Sequence, residues 1–126
     1  MRGPDPRTVV VVEDDASMSQ AMERILRLAG LAPVTFGSAE EACAGSAVEE
    51  AACLIIDLQL PGLNGFALRE RLAAMGILPP VIFISAFDEP ETRVQAAEAG
   101  AQFLTKPFSG RALLEAIRKS TAPAAS

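Results

Sequence analysis

Five short apolar runs alternate with five helical patterns along this chain. That alternation predicts an α/β fold, a single doubly wound domain with a five-stranded parallel sheet and helices on both faces. Two further observations point the same way. The four strong runs are apolar at nearly every position rather than at alternate ones, the habit of strands buried on both faces. Half of the 126 residues are hydrophobic and 21% are charged, which is enough to bury a core in a chain the length of one domain.

The elements follow in order. Val9-Val10-Val11-Val12 is too short for a helix and too apolar for a half-exposed strand, so it reads as the first strand. Ser17 to Ala29 carries Met18, Met22, Ile25, Leu26 and Ala29 at three- and four-residue spacings, with Gly30 placed as a C-cap. A weaker strand, Pro33-Val34-Thr35-Phe36, comes next. Ser38-Ala39-Glu40-Glu41 has the form of a capping box and opens the second helix. Cys53-Leu54-Ile55-Ile56 is the third strand. Phe66, Leu68, Leu72 and Met75 mark the third helix, stopped by Gly76 and Pro79-Pro80. Val81-Ile82-Phe83-Ile84 is the fourth strand, and Glu91 to Ala99 the fourth helix, ended by Gly100. Ala101-Gln102-Phe103-Leu104 is the fifth strand. Ser109 caps the fifth helix, whose stripe is Leu113, Leu114 and Ile117.

Residues 1–7 are polar, with Pro4 and Pro6, and read as a disordered leader without the apolar core of a signal peptide. The domain is expected over 8–120, and residues 121–126, rich in Ala, Pro and Ser, as a tail or the start of a linker. The formal net charge of -5 argues against a nucleic-acid-binding surface, which needs clustered Lys and Arg. No apolar run reaches the ~18 residues of a membrane span. Cys43 and Cys53 have neither metal-ligand spacing nor the density of a disulfide framework; they read as reduced packing residues of a cytoplasmic protein. Phe66, Phe87 and Phe108 read as packing aromatics.

Function is argued from where polar residues fall. The first strand runs into Glu13-Asp14-Asp15, the third into Asp57, the fourth into Ser85 and the fifth into Thr105-Lys106-Pro107. Ligands of open α/β sheets bind beyond the C-terminal strand ends, where strand order reverses. With the first strand between the second and third, Glu13, Asp14 and Asp57 converge there. Two carboxylates ~4 Å apart repel by about 4 kcal/mol at an effective dielectric of ~20, so three together need a cation. All-oxygen ligation favours Mg²⁺ or a similar hard ion, Mn²⁺ among them. With Mg²⁺ and Lys106 the charges cancel. A carboxylate in such a site is a nucleophile toward phosphoryl groups, and a hydroxyl such as that of Ser85 hydrogen-bonds the phosphoryl once it arrives.

These motifs resemble the receiver domain of two-component response regulators: Glu13-Asp14-Asp15, Asp57 with Pro61 and Gly65 after it, Ser85-Ala86, and Phe103 with Lys106-Pro107-Phe108. The resemblance spans roughly Thr8 to Lys119. It implies a flavodoxin-like sheet of order 2-1-3-4-5. It also implies that Asp57 is the phosphoacceptor, fed by a sensor histidine kinase. Asp14 would touch Mg²⁺ directly, Glu13 through water, and Gln59 through its backbone carbonyl. Ser85 and Phe103 take the switch positions, and Lys106 is the lysine of the family pattern, in a Lys-Pro bond that is often cis. Glu13 stands where Asp is more usual, Ser85 where Thr is frequent, and Phe103 lacks the hydroxyl of the alternative Tyr.

The sequence around Lys106 and before Gly100 is similar to the FixJ-like subgroup, whose members usually carry a C-terminal helix-turn-helix. The output implied is transcription through such a domain, with no direct nucleic-acid contact by the receiver. Phosphorylation-dependent pairing through the fourth helix, fifth strand and fifth helix is part of the same expectation. The alternative is a stand-alone receiver acting by protein contacts. A phosphatase of the haloacid dehalogenase type is disfavoured, because its second Asp, two residues after the nucleophile, is here Gln59.

Overall fold

A computed structural model describes residues 5–121. Along the chain run β1 (Thr8–Val12), α1 (Ala16–Leu28), β2 (Ala32–Phe36), α2 (Ala39–Ala44), a 3₁₀ turn (Ala47–Glu50), β3 (Cys53–Asp57), α3 (Gly65–Ala74), β4 (Val81–Ser85), α4 (Pro90–Glu98), β5 (Gln102–Thr105) and α5 (Gly110–Thr121). All five strands are parallel, in the order β2-β1-β3-β4-β5. β1 therefore lies between β2 and β3, the arrangement on which the convergence of the carboxylates depends.

The continuous apolar runs are explained by two cores. Val9, Val11, Cys53, Ile55, Ile82 and Ile84 point to one face, against Met22 and Leu26 of α1 and Leu113 and Ile117 of α5. Val10, Val12, Leu54, Ile56 and Phe83 point to the other, against Ala39, Ala42, Leu68, Leu72 and Ala96 of the remaining helices. Successive strand residues face opposite sides, so a strand covered on both needs apolar residues throughout. Each such Val, Leu or Ile contributes about 1.5–3 kcal/mol by leaving water. Every residue of β1, β3 and β4 is buried.

The caps follow the sequence closely. The Asp15 carboxylate accepts from the N–H groups of Ser17 and Met18 at the start of α1. Ser38 Oγ accepts from Glu41 N, but the Glu41 carboxylate accepts in return from Gly37 N, one residue before the cap itself. Asn64 Oδ1 caps α3 through Ala67 N, and Ser109 Oγ caps α5 through Ala112 N.

Three expectations are corrected. β5 is half-buried throughout rather than enclosed, because it is an edge strand paired with β4 alone. Met75 lies past the last helical residue of α3, turned off the core face and 55% exposed. Phe87 is 58% exposed in the β4–α4 loop, where no helical or strand period holds it inward. The 3₁₀ turn after α2 had no signal in the apolar pattern. Of the expected leader, Met1–Pro4 lie outside the described residues, while the chain from Asp5 forms a turn: Asp5 N donates to Glu50 O, and Asp5 O accepts from Thr8 N. Of the expected tail, Thr121 ends α5, and 122–126 lie outside the described residues. Both cysteines are free; Cys53 is buried and its thiol is pushed up to about 12 by that burial, which keeps it neutral.

Candidate functional site

Strand ends bring the residues together. Asp57 and Ser85 are the last residues of β3 and β4, Glu13 is the first after β1, and Lys106 the first after β5. Glu13 N donates to Phe36 O and Lys106 N to Ser85 O, so the ladders that build the sheet also set where these side chains start. Glu13 and Asp57 are each 2% exposed, Ser85 is fully buried, and Asp14 is exposed.

The Lys106 ammonium reaches both buried carboxylates, Nζ lying 2.8 Å from Glu13 Oε1 and 3.1 Å from Asp57 Oδ2. Glu13 Oε2 accepts from Asp15 N, and Asp57 Oδ1 accepts from Gln59 N. Glu13 Oε1 is buried without a hydrogen bond; the ammonium meets it as an ion pair only. Burial, and then the neighbouring Asp57 carboxylate, push Glu13 up to about 7. Burial works to lower the Lys106 pKa, but Glu13 and Asp57 together hold it above its ordinary value. Three carboxylates thus face one ammonium in the pocket.

Oxygens of Glu13, Asp14 and Asp57 all lie within 4.8 Å of one another. An all-oxygen set with a buried, unbonded carboxylate oxygen fits a hard divalent ion such as Mg²⁺. The Gln59 backbone stands beside the set through its N–H on Asp57.

A glycine gives this pocket its floor. A Cβ on Gly65 would stand 2.9 Å from each of Asp57 O, Ile56 Cγ2 and Leu58 Cδ2. The first residue of α3 therefore presses directly on the end of β3, which only a residue without a side chain permits. The Lys106–Pro107 bond is cis.

Ser85 is not aimed at empty space. Its hydroxyl donates to Gln59 Oε1 at 3.0 Å and accepts from Phe87 N at 3.0 Å, and Ala86 N donates to the same Gln59 oxygen at 3.3 Å. Phe103 is half-buried against the core that contains Phe83. The Arg93 guanidinium lies over its ring, 4.9 Å from the centroid. Arg93 also pairs with Asp88, through Nη2 to Oδ2 at 3.0 Å and through Nε to Oδ1, and approaches Thr105 Oγ1 at 3.4 Å. Glu13, Asp14, Asp57, Gln59, Ser85 and Lys106 are thus brought to one pocket, while Phe103 stands apart from it on β5. The side chain of Gln59 and the whole of Arg93 went unread in the sequence: Gln59 meets Ser85, 26 residues on, and Arg93 joins Asp88, five residues back, to Thr105, 12 residues on.

The family model for the response regulator receiver domain matches residues 9–118. Nodulation protein W of Bradyrhizobium diazoefficiens is 40% identical over 114 residues, 90% of this chain and 50% of that protein. Among solved structures, a response regulator receiver protein from Burkholderia phymatum is 38% identical with a TM-score of 0.78, covering 94% of this chain and 97% of the other. FixJ-N is 28% identical with a TM-score of 0.83, covering 100% and 99%. The chain spans half or less of the length of the first curated relatives it matches.

Proposed function

The chain belongs to the family of response regulator receiver domains, and from that premise we propose that Asp57 is the phosphoacceptor of a two-component signalling switch. In the step proposed, an Asp57 carboxylate oxygen attacks the phosphorus of a phosphohistidine presented by a sensor kinase. The O–P bond forms, the N–P bond breaks, and the imidazole leaves and takes up a proton. Lys106, already within hydrogen-bonding reach of Asp57, stabilises the charge on the phosphoryl oxygens. Mg²⁺, or Mn²⁺ in its place, held by Glu13, Asp14, Asp57 and the Gln59 carbonyl, would supply further neutralisation of that charge. Ser85 hydrogen-bonds the phosphoryl once it is in place.

The observation that carries this reading is Lys106 Nζ set between two buried carboxylates, 2.8 Å from one and 3.1 Å from the other. A packing role alone does not call for three ionisable groups at the ends of three strands. Downstream, movement of the Ser85 loop makes room for Phe103 to turn inward, and the surface of α4, β5 and α5 changes. This is a population shift between two packings, biased by contacts only the phosphorylated state makes. A longer parent protein of the FixJ-like kind would read that surface through a DNA-binding domain, in the cytoplasm and without the receiver touching nucleic acid. The names of two relatives, a C4-dicarboxylate transport transcriptional regulatory protein and the transcriptional regulatory protein TdiR, support a transcriptional output. Pairing of two phosphorylated copies through the same surface belongs to this reading.

The test is direct. Protein treated with acetyl phosphate and Mg²⁺ gains one phosphoryl group by intact mass, labile to hydroxylamine as an acyl phosphate is. Asp57→Asn gains none. Modification of Asp57→Asn at the wild-type rate overturns the assignment.

A further inference from the structure

Ser85 and Ala86 offer an O–H and an N–H beside Asp57, and both are already committed to one oxygen, Oε1 of Gln59. Gln59 is exposed and its own N–H is tied to Asp57 Oδ1, so the residue spans from the acceptor to the loop after β4. The Ser85 hydroxyl accepts from Phe87 N in turn, which makes a short chain from Phe87 through Ser85 to Gln59. An amide carbonyl is a neutral acceptor; an ionised phosphoryl oxygen is a stronger one for the same donors.

We propose that Gln59 is a positioning residue that latches the β4–α4 loop in the phosphate-free protein, its side-chain carbonyl holding the two donors that the phosphoryl group must recruit. The proposal rests on Asp57 being the acceptor. When the phosphoryl group arrives, Ser85 O–H and Ala86 N–H exchange the amide oxygen for a charged one. The latch opens, and the loop that carries Phe87 and Asp88 is free to move. Gln59 thereby sets how much of the phosphoryl binding energy is spent on release. Ser85, being buried, is never without an acceptor in either state.

Gln59→Ala removes the oxygen at an exposed position, so the fold is retained, with a modest fall in thermal stability as the buried Ser85 hydroxyl loses its acceptor. Beryllofluoride with Mg²⁺ serves as the phosphoryl probe, with amide NMR of the phosphate-free protein as a second readout. Each net hydrogen bond is a factor of roughly two to ten. Gln59→Ala should therefore bind beryllofluoride about tenfold more tightly, and the Ala86 amide resonance should move before any probe is added. In a Ser85→Ala background the gain from Gln59→Ala should fall to about threefold, because only Ala86 N–H is left to release. Unchanged affinity with an unmoved Ala86 resonance overturns the latch, and weaker binding by Gln59→Ala overturns it by making Gln59 a phosphoryl ligand. Failure of beryllofluoride to bind either protein overturns the Asp57 reading itself, a result distinct from equal binding by both.

Discussion

On the β1–β3 side of the sheet, Glu13 and Asp57 are each 2% exposed and share one lysine between them. On the β4–β5 side, β5 is half-buried, Phe87 stands in solvent, and the Arg93–Asp88 pair that ties α4 to its loop is exposed. The two regions are some of the same sheet, yet their contacts differ in strength. Charges enclosed in the first cannot be rearranged without a cation or a proton to replace what is lost. The exposed contacts of the second are each weak and screened by salt. On the proposed function, chemistry would sit where geometry is fixed, and the response where several weak contacts exchange together. Three perturbations probe that division.

The largest effect is expected from pH and metal acting on the enclosed side. Glu13 is raised to about 7 in the fold from an ordinary value of 4.5. The native state thus holds this proton more tightly than the unfolded chain, and stability falls as pH rises from about 4.5 to 7, where the cost is complete. The full span corresponds to on the order of 3 kcal/mol. Lys106, raised rather than lowered, keeps its charge through this window. Urea titrations of metal-free protein should therefore give a lower midpoint at pH 8 than at pH 5. Mg²⁺ should restore more stability at pH 8, where it has no proton to displace. Equal Mg²⁺ stabilisation at both values would mean that Glu13 is not the group whose charge the metal offsets.

Next in size is the packing beneath Asp57. Gly65→Ala places a methyl 2.9 Å from the Asp57 carbonyl, and backbone is the part least able to yield. Overpacking of this kind costs about 2 kcal/mol. The urea midpoint should drop with its slope unchanged, and phosphorylation by acetyl phosphate should slow because Asp57 itself is displaced. An alanine that leaves both unchanged would show that the enclosed side yields more readily than its burial suggests.

The same division governs what the sequence disclosed. β1, β3 and β4 were legible because enclosure on both faces demands uninterrupted apolar runs, and Glu13, Asp57, Ser85 and Lys106 were legible because each ends such a run. The difference between β5 and the central strands was not, since being at the edge is a property of strand order rather than of four residues. Met75 was read as part of the third helix and Phe87 as a packing aromatic because hydrophobicity at a helix end or in a loop has no period to test it. Gln59 and Arg93 reach partners 26 and 12 residues away, and nothing local announces such contacts. Gly65 stood in a recognisable motif, but only the close approach of α3 to β3 shows what it does.

The smallest effect is expected from Arg93, and it distinguishes the two regions most sharply. Its guanidinium joins Asp88 of the loop, Thr105 of β5 and the ring of Phe103, three parts that must separate if Phe103 turns inward. Asp88 lies below the ordinary carboxylate range chiefly because of its hydrogen bond from Arg93, so the pair persists through neutral pH. Because these contacts are solvent-exposed, Arg93→Ala should lower thermal stability less than Gly65→Ala does. The first phosphoryl transfer to Asp57 should proceed at the wild-type rate, since Arg93 touches no carboxylate of the pocket. Beryllofluoride affinity, however, should rise by about two- to fivefold, the bias that one exposed cation–π contact with its ion pair supplies to the resting packing. High salt should reproduce part of that gain in the wild type and little of it in Arg93→Ala. If Arg93→Ala instead slows transfer to Asp57 while leaving beryllofluoride affinity unchanged, the division fails: the exposed side would then be shaping the chemistry rather than the response.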